Sequence, residues 1–118
     1  MKYVLLVYGG EKGLYALTPE RMAELDADSL GYDRELDRQG KLVIAQALQP
    51  VKTSKSLRRR NGKVLVTDGP FAETKEQLLG FVMIEAVDLD EALDIAAKIP
   101  LAELGTVEIR AIYDVPGS

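Results

Sequence analysis

The chain has 118 residues, of which 47% are apolar and 29% are charged, and its formal net charge is −4. These values are typical of a single globular domain, here residues 1–118, with one core. The negative charge argues against general binding to nucleic acid, because affinity for phosphates requires clustered Lys and Arg. His and Cys are absent, which excludes disulfides, the usual transition-metal sites and His- or Cys-based nucleophilic catalysis. We therefore expect no metal and, without a Gly-rich phosphate loop, no cofactor.

The N-terminal residues predict a strand at 2–8. Their apolar run is too short for a secretory signal or a membrane span, so we expect a cytoplasmic protein that makes no membrane contact. Both alternating sets of side chains in this strand are apolar. This pattern predicts that both faces of the strand are buried.

The next predicted element is a helix at 19–39. Thr18 is a good N-cap, and Pro19 suits the first helical position, where its missing N–H costs nothing. Gly40 supplies a left-handed stop. Spacings of three and four define one inward stripe, which consists of Met22, Leu25, Ser29, Tyr32 and Leu36.

A strand and a hairpin follow this helix. Residues 42–48 predict the strand. Residues 57–60 pair with residues 63–67 across Asn61-Gly62, the dipeptide that best fits a type I′ turn. We interpret the hairpin as an insertion into a smaller sheet.

The C-terminal part predicts a strand, a helix and a last strand. Residues 79–87 are apolar on both faces until Glu85, so both faces of this strand should also be buried against other elements. Asp88 and Glu91 form a capping-box pattern for a short helix that Pro100 terminates. Residues 106–115 predict the final strand.

The order of these elements predicts an α+β protein with a ferredoxin-like βαββαβ plan and an extra β-hairpin. Two helices cover only one face of such a sheet. The other face would expose an apolar patch of the kind that marks an interface. We therefore expect a homodimer that packs sheet to sheet.

The nine residues from Asp68 to Glu76, DGPFAETKE, resemble the signature of the DGPF branch of the YCII-related family. The resemblance extends over nearly the whole chain, because residues 1–9, 48–50, 62–71 and 88–93 are similar to the family framework in the same order. It implies a ferredoxin-like subunit in a dimeric α/β-barrel-type homodimer. For some relatives it also implies an association with extracytoplasmic-function sigma factors, but it implies no assigned reaction.

The resemblance also implies that the YCII branch proper uses a His near the middle of the first helix. The closest position in this chain is Tyr32. A phenol cannot act as a general base near neutral pH unless its pKa is strongly lowered. A His-dependent activity of the YCII branch proper therefore should not be assigned to this chain.

The run Asp68-Gly69-Pro70-Phe71 has both a structural and a functional interpretation. In the structural one, Gly69 permits a positive φ, Pro70 fixes φ and Phe71 plugs the core. In the functional one, these three residues contact a ligand. Asp68 either accepts a backbone hydrogen bond in the turn or projects into a cleft as a base or ligand anchor.

The charged residues Glu73, Lys75 and Glu76 follow within one short segment. They form either a solvated, self-paired loop or the rim of a cleft. In the second case, Asp68, Glu73 and Lys75 converge as catalytic candidates that hold a polar substrate and move a proton. Thr74 and Gln77 have the spacing for a single helical turn at this point.

Tyr8 and Arg58 are further candidates for ligand binding. A Tyr at the end of a strand is more often a core or interface residue than a site residue. Arg58 could bind a carboxylate bidentately, as could Arg110. Arg58 also belongs to the basic run 58–60, which predicts an exposed hairpin.

Two functions fit these observations, and a third option, a purely structural dimer, explains every residue except the density of charge after Phe71. The first is a small dimeric domain that binds a small polar molecule in a cleft near the Asp68–Glu76 loop, with possible acid–base catalysis. The alternative is a non-catalytic regulatory or protein-interaction module associated with an extracytoplasmic-function sigma factor. A concave site with convergent charges would favour the first, and a flat exposed apolar patch outside the sheet interface would favour the second.

Overall fold

The computed structural model describes residues 1–10 and 13–118. The described residues form an α+β structure, with short 3₁₀ turns at Val51–Thr53 and Pro100–Glu103. In chain order the helices and strands are β1 (Lys2–Gly9), α1 (Pro19–Arg38), β2 (Leu42–Ala47), β3 (Lys55–Arg60), β4 (Lys63–Asp68), β5 (Gln77–Glu85), α2 (Leu89–Ala97) and β6 (Thr106–Ala111).

Four strands form the main sheet in the order β2-β5-β1-β6, and all neighbouring pairs are antiparallel. This order is compatible with the ferredoxin-like plan that the sequence predicts.

Strands β3 and β4 form a separate two-stranded sheet. Its turn residues Asn61 and Gly62 have φ values of 52° and 76°, as a type I′ turn requires. The predicted hairpin is therefore confirmed.

Both helices begin with the predicted caps. The Thr18 hydroxyl accepts a hydrogen bond from the Arg21 N–H at 3.1 Å, and the Asp88 carboxylate accepts one from the Glu91 N–H at 2.9 Å. Each bond satisfies a backbone donor that the first helical turn leaves free. Neither described helix combines the length and the apolar composition needed to cross a bilayer.

The core lies between the two helices and one side of the main sheet. Leu5 and Ile84 from the sheet and Leu36 from α1 are fully buried there. Neither described helix packs against the opposite side of the sheet, which is called the open face below. Its central side chains are apolar and half-buried, and they are Val4, Leu6, Tyr8, Phe81 and Met83.

The bounds of β5 and β6 differ from the predicted ones. β5 spans Gln77–Glu85 instead of 79–87, because Gln77 already pairs with Gly9. β6 ends at Ala111 instead of residue 115. Its partner β1 begins at Lys2, so no strand remains for a longer β6 to pair with.

Candidate functional site

The segment Asp68–Phe71 closes the base of the hairpin. The Gly69 N–H donates to the Ser54 carbonyl at 2.8 Å, and the Ser56 hydroxyl donates to the Gly69 carbonyl at 2.8 Å. Gly69 has a φ of 85°, in the left-handed region that glycine enters without steric cost. The positive φ predicted at Gly69 is confirmed.

Asp68 lies beside the hairpin and not in a cleft. Its carboxylate pairs with the Lys55 ammonium across the two strands, and its side chain is 88% exposed. An exposed pair of this kind contributes at most about 1 kcal/mol. The structure does not bring Asp68 together with Glu73 and Lys75, which was one of the two interpretations of this segment, because the carboxylate is directed to Lys55.

Phe71 does not plug the core, as its side chain is 79% exposed. The expectation failed because Phe71 follows β4, which belongs to the separate hairpin sheet. At this position the chain has not yet returned to the main sheet, which it joins at Gln77. The ring is therefore out of reach of the core.

A cleft of about 700 Å³ lies between the loop after Pro70, the turn after β1 and the end of the second 3₁₀ turn. It contains two of the predicted catalytic candidates, Glu73 and Lys75. Among the described residues, the lining leaves out Asp68 and the ligand candidates Tyr8, Arg58, Gly69 and Phe71. The lining residues are Gly10, Gly13, Val51, Pro70, Ala72, Glu73, Thr74, Lys75, Glu76, Gln77 and Leu104.

Close backbone approaches that require glycine build this end of the molecule, and two of them are the tightest. A Cβ on Gly10 would lie 2.5 Å from the Lys75 carbonyl oxygen, and a Cβ on Gly105 would lie 1.9 Å from the Tyr8 carbonyl oxygen. Neither distance is sterically possible for a side chain. The glycines thus let β1, β6 and the charged loop meet at the cleft.

The charged loop is held by its own side chains. The Thr74 hydroxyl donates to the Glu76 carbonyl at 2.6 Å, and the Gln77 amide donates to the Thr74 carbonyl at 2.8 Å. The Thr106 hydroxyl donates to the Glu76 carboxylate at 2.7 Å, which ties the loop to β6. The predicted helical turn at Thr74–Gln77 is wrong, because these bonds and the start of β5 replace it.

The loop places two exposed charges of opposite sign at the cleft. Glu73 and Lys75 are exposed, and none of the ion pairs within the described part of the chain includes either of them. The described residues also contain no cluster of three acidic side chains that could hold a metal ion. The arrangement suits a polar molecule that carries both a cationic and an anionic group.

Two of the ligand candidates point elsewhere. Tyr8 lies on the open face of the sheet, where it pairs with Thr106. Arg58 lies in the exposed strand β3 opposite Leu65. Neither side chain lines the cleft, so their role in binding stays a prediction.

A second, smaller cleft of about 420 Å³ lies between α1 and α2. The Tyr32 hydroxyl lines it and donates to the Ile95 carbonyl at 2.7 Å, while Lys41 and Glu91 form an ion pair of 3.7 Å at the same place. Burial raises the pKa of Tyr32 above its ordinary value. The phenol thus joins the helices as a neutral donor and is even less suited to be a base. The helix periodicity placed Tyr32 inward but gave no sign of this cleft.

Comparisons with known proteins agree with the predicted family. A profile of the YCII-related domain matches residues 1–116. An uncharacterized protein of Rhizobium meliloti (strain 1021) is 39% identical to the chain over 114 residues. This alignment covers 95% of the chain and 92% of the relative. The profile match therefore spans nearly the whole chain, including the positions that line the cleft.

Proposed function

This chain belongs to the YCII-related family, and we propose that it binds a small polar molecule in the cleft beside Glu73–Gln77. One observation carries the proposal: exposed groups of opposite charge, Glu73 and Lys75, border a cleft of about 700 Å³. Small-molecule sites commonly have volumes of roughly 300–1,000 Å³. The motif at Asp68–Phe71 further supports membership in the DGPF branch of the family.

The proposed chemistry uses the two charges differently. The Lys75 ammonium binds a carboxylate or phosphate group of the molecule as a point charge. The Glu73 carboxylate accepts a hydrogen bond, or a proton, from another group of the same molecule. Acid–base catalysis by this pair is the enzymatic form of the proposal. Asp68 is the third catalytic candidate, but its carboxylate pairs with Lys55 and does not line the cleft.

We further propose that two subunits pack through their open faces as a dimeric α/β-barrel-type homodimer. The chain exposes 8576 Å², which is about 2,200 Å² more than a compact monomer of its mass would expose. A standard interface buries about 800 Å² on each subunit, so the surplus is large enough for one. Sedimentation at micromolar concentration should give a dimer, and a folded monomer there would contradict this proposal.

The cleft is tested by screening a metabolite library for compounds that raise the melting temperature. A ligand at about a hundred times its dissociation constant stabilises the folded state by roughly 2.7 kcal/mol. Lys75→Gln should weaken the best compound at least tenfold, because the ammonium is lost without a change in fold. Lys2→Gln is the matched control, since Lys2 lies at the opposite end of β1 from the cleft. Equal affinity in the two variants would refute the cleft as the site.

The same screen decides the role of Asp68. As a hairpin residue, Asp68→Asn should leave the affinity for that compound unchanged and unfolding within about 0.5 kcal/mol of wild type. As a base or charge anchor, the variant should fold equally well but lose binding. The exposed ion pair with Lys55 favours the first outcome.

A second candidate function is a non-catalytic module that binds a regulatory protein, with an extracytoplasmic-function sigma factor as the partner. The exposed apolar residues of the hairpin, together with Phe71, favour it. Co-expression with an extracytoplasmic-function sigma factor should then give a complex that Leu57→Ser weakens. A wild-type chain that elutes free of the sigma factor would exclude this candidate.

A further inference from the structure

The hairpin Lys55–Asp68, called the arm below, stands apart from the rest of the chain. It forms a sheet of its own, and among the described residues its extensive contacts are internal. Every residue of β4 is exposed, and so is every residue of β3 except Ser56. Because an isolated two-stranded hairpin is marginally stable in water, the arm needs a covering surface.

The cross-strand register gives the arm two unlike sides. One, the apolar side, carries Leu57, Arg59, Val64 and Val66, with the Lys55–Asp68 ion pair at its base, and its three aliphatic residues are each more than half exposed. The other, the basic side, carries Arg58, Arg60, Lys63 and Leu65, with Ser56 and Thr67 at its base. Exposed aliphatic residues on an uncovered hairpin mark a surface that associates. The apolar side is therefore the one that requires a partner.

Charge indicates which partner fits. The arm contains five of the chain's fifteen Lys and Arg residues but only one of its nineteen Asp and Glu residues, so the arm carries +4 and the remainder −8. A partner with an excess of carboxylates is thus attracted to the arm. The remainder of a second copy of this chain is such a partner.

The shape of the chain brings a second copy within reach of the arm. The chain is a slab with extents of 47 × 46 × 19 Å. A sheet with one layer of helices already fills about 20 Å, so the arm extends sideways and does not fold back over its own sheet. The arm is therefore not covered by its own sheet and is free to contact the second subunit of the proposed dimer.

We propose that the arm is an intersubunit clamp: its apolar side packs on the second copy, and Arg59 on that side pairs with carboxylates there. The inference rests on the homodimer proposed above. It differs from the second candidate function, which assigns the same surface to another protein. It also differs from attachment to an anionic membrane, a surface to which a basic hairpin with an apolar side can bind.

Neighbouring residues of one strand provide a matched pair of variants. Val66→Asp places a charge on the apolar side, and Leu65→Asp places the same charge on the basic side, at similar exposures of 59% and 52%. We expect Val66→Asp to raise the dimer dissociation constant at least tenfold in sedimentation, and Leu65→Asp to change it less than threefold. Equal effects of the two variants would overturn the clamp.

Cross-linking provides a second measurement that does not depend on the strength of the dimer. Because the chain has no Cys, Val64→Cys can carry a single photoreactive group on the apolar side. In a mixture of ¹⁵N-labelled and unlabelled subunits, mass spectrometry should find cross-links between the two isotopic forms. Cross-links confined to one subunit within an intact dimer would overturn the clamp.

The outcomes separate the proposals from one another. A wild-type monomer would remove both the sheet-to-sheet dimer and the clamp, whereas an intact dimer that is indifferent to Val66→Asp would remove the clamp alone. Vesicles of phosphatidylglycerol that bind the wild-type dimer but not the Val66→Asp variant would assign the apolar side to a membrane and overturn the clamp. Ligand binding in the cleft is measured separately with Lys75→Gln and is unaffected by any of these results.

Discussion

The main sheet with its two helices, called the body below, and the arm contain similar strands but differ in what covers them. In the body, Leu5 and Ile84 are fully buried because the helices pack on that side of the sheet. In the arm, Val64 and Val66 are more than half exposed, although β3 and β4 pair in regular register along their whole length. Backbone pairing therefore does not bury a side chain unless a second layer is present, and the described part of the chain supplies that layer only to the body.

The largest expected effect tests this difference directly. Ile84→Ala should lower the free energy of unfolding by about 2–5 kcal/mol, because it leaves a cavity in a fully buried site. Leu65→Ala, in the arm, should change it by less than about 0.5 kcal/mol, since the side chain is 52% exposed. Denaturant unfolding of both variants under identical conditions measures the contrast. Similar losses would mean that arm and body are equally covered.

The chain has two Phe residues, and they extend the comparison to the loop after the arm. Phe71 is 79% exposed and Phe81 is half-buried on the open face. Phe71→Ala should therefore change unfolding by less than about 0.5 kcal/mol, far below the roughly 3–5 kcal/mol expected of a core Phe. Phe81→Ala should cost more in the same measurement. A loss of several kcal/mol for Phe71 would show that its ring is covered in solution.

The sequence predicted the body well because its signals are local. Thr18 and Asp88 cap the helices, and the stripe through Leu25 and Leu36 turns α1 toward the sheet. The Asn61-Gly62 turn was equally predictable, since few other dipeptides adopt positive φ at both positions. Each of these features depends on residues within a few positions of one another.

The site was less predictable because it depends on contacts between distant segments. The sequence left Asp68 open between a turn and a cleft, and the register of the arm places Lys55 opposite it. The cleft itself forms where Gly10 approaches Lys75 and Gly105 approaches Tyr8. These residues are far apart in the sequence, so no local sequence pattern predicts that they meet. Glu73 and Lys75 line the cleft, as one of the two interpretations of the charged loop has it, but their role there stays a prediction.

The smallest expected effect concerns an acidic residue of the body and depends on pH. Burial raises the pKa of Asp33 in α1 above its ordinary value, so the folded state binds a proton more tightly than the unfolded state, whose Asp pKa is about 3.9. Stability contributed by this group is therefore present below the unfolded pKa and is lost as pH rises through the folded pKa.

Asp33→Asn removes this dependence. The variant should be slightly more stable than wild type at pH 7, by at most about 0.5 kcal/mol because solvent still screens the partly buried group. The advantage should vanish as the pH falls below the unfolded pKa, because Asp33 of the wild type is then neutral in both the folded and the unfolded state. Asp28→Asn is the control, since Asp28 is an exposed residue of the same helix. Denaturant unfolding from pH 3 to pH 8 measures all three proteins, and an advantage that persists at pH 3 would assign the gain to helix propensity instead of the carboxylate.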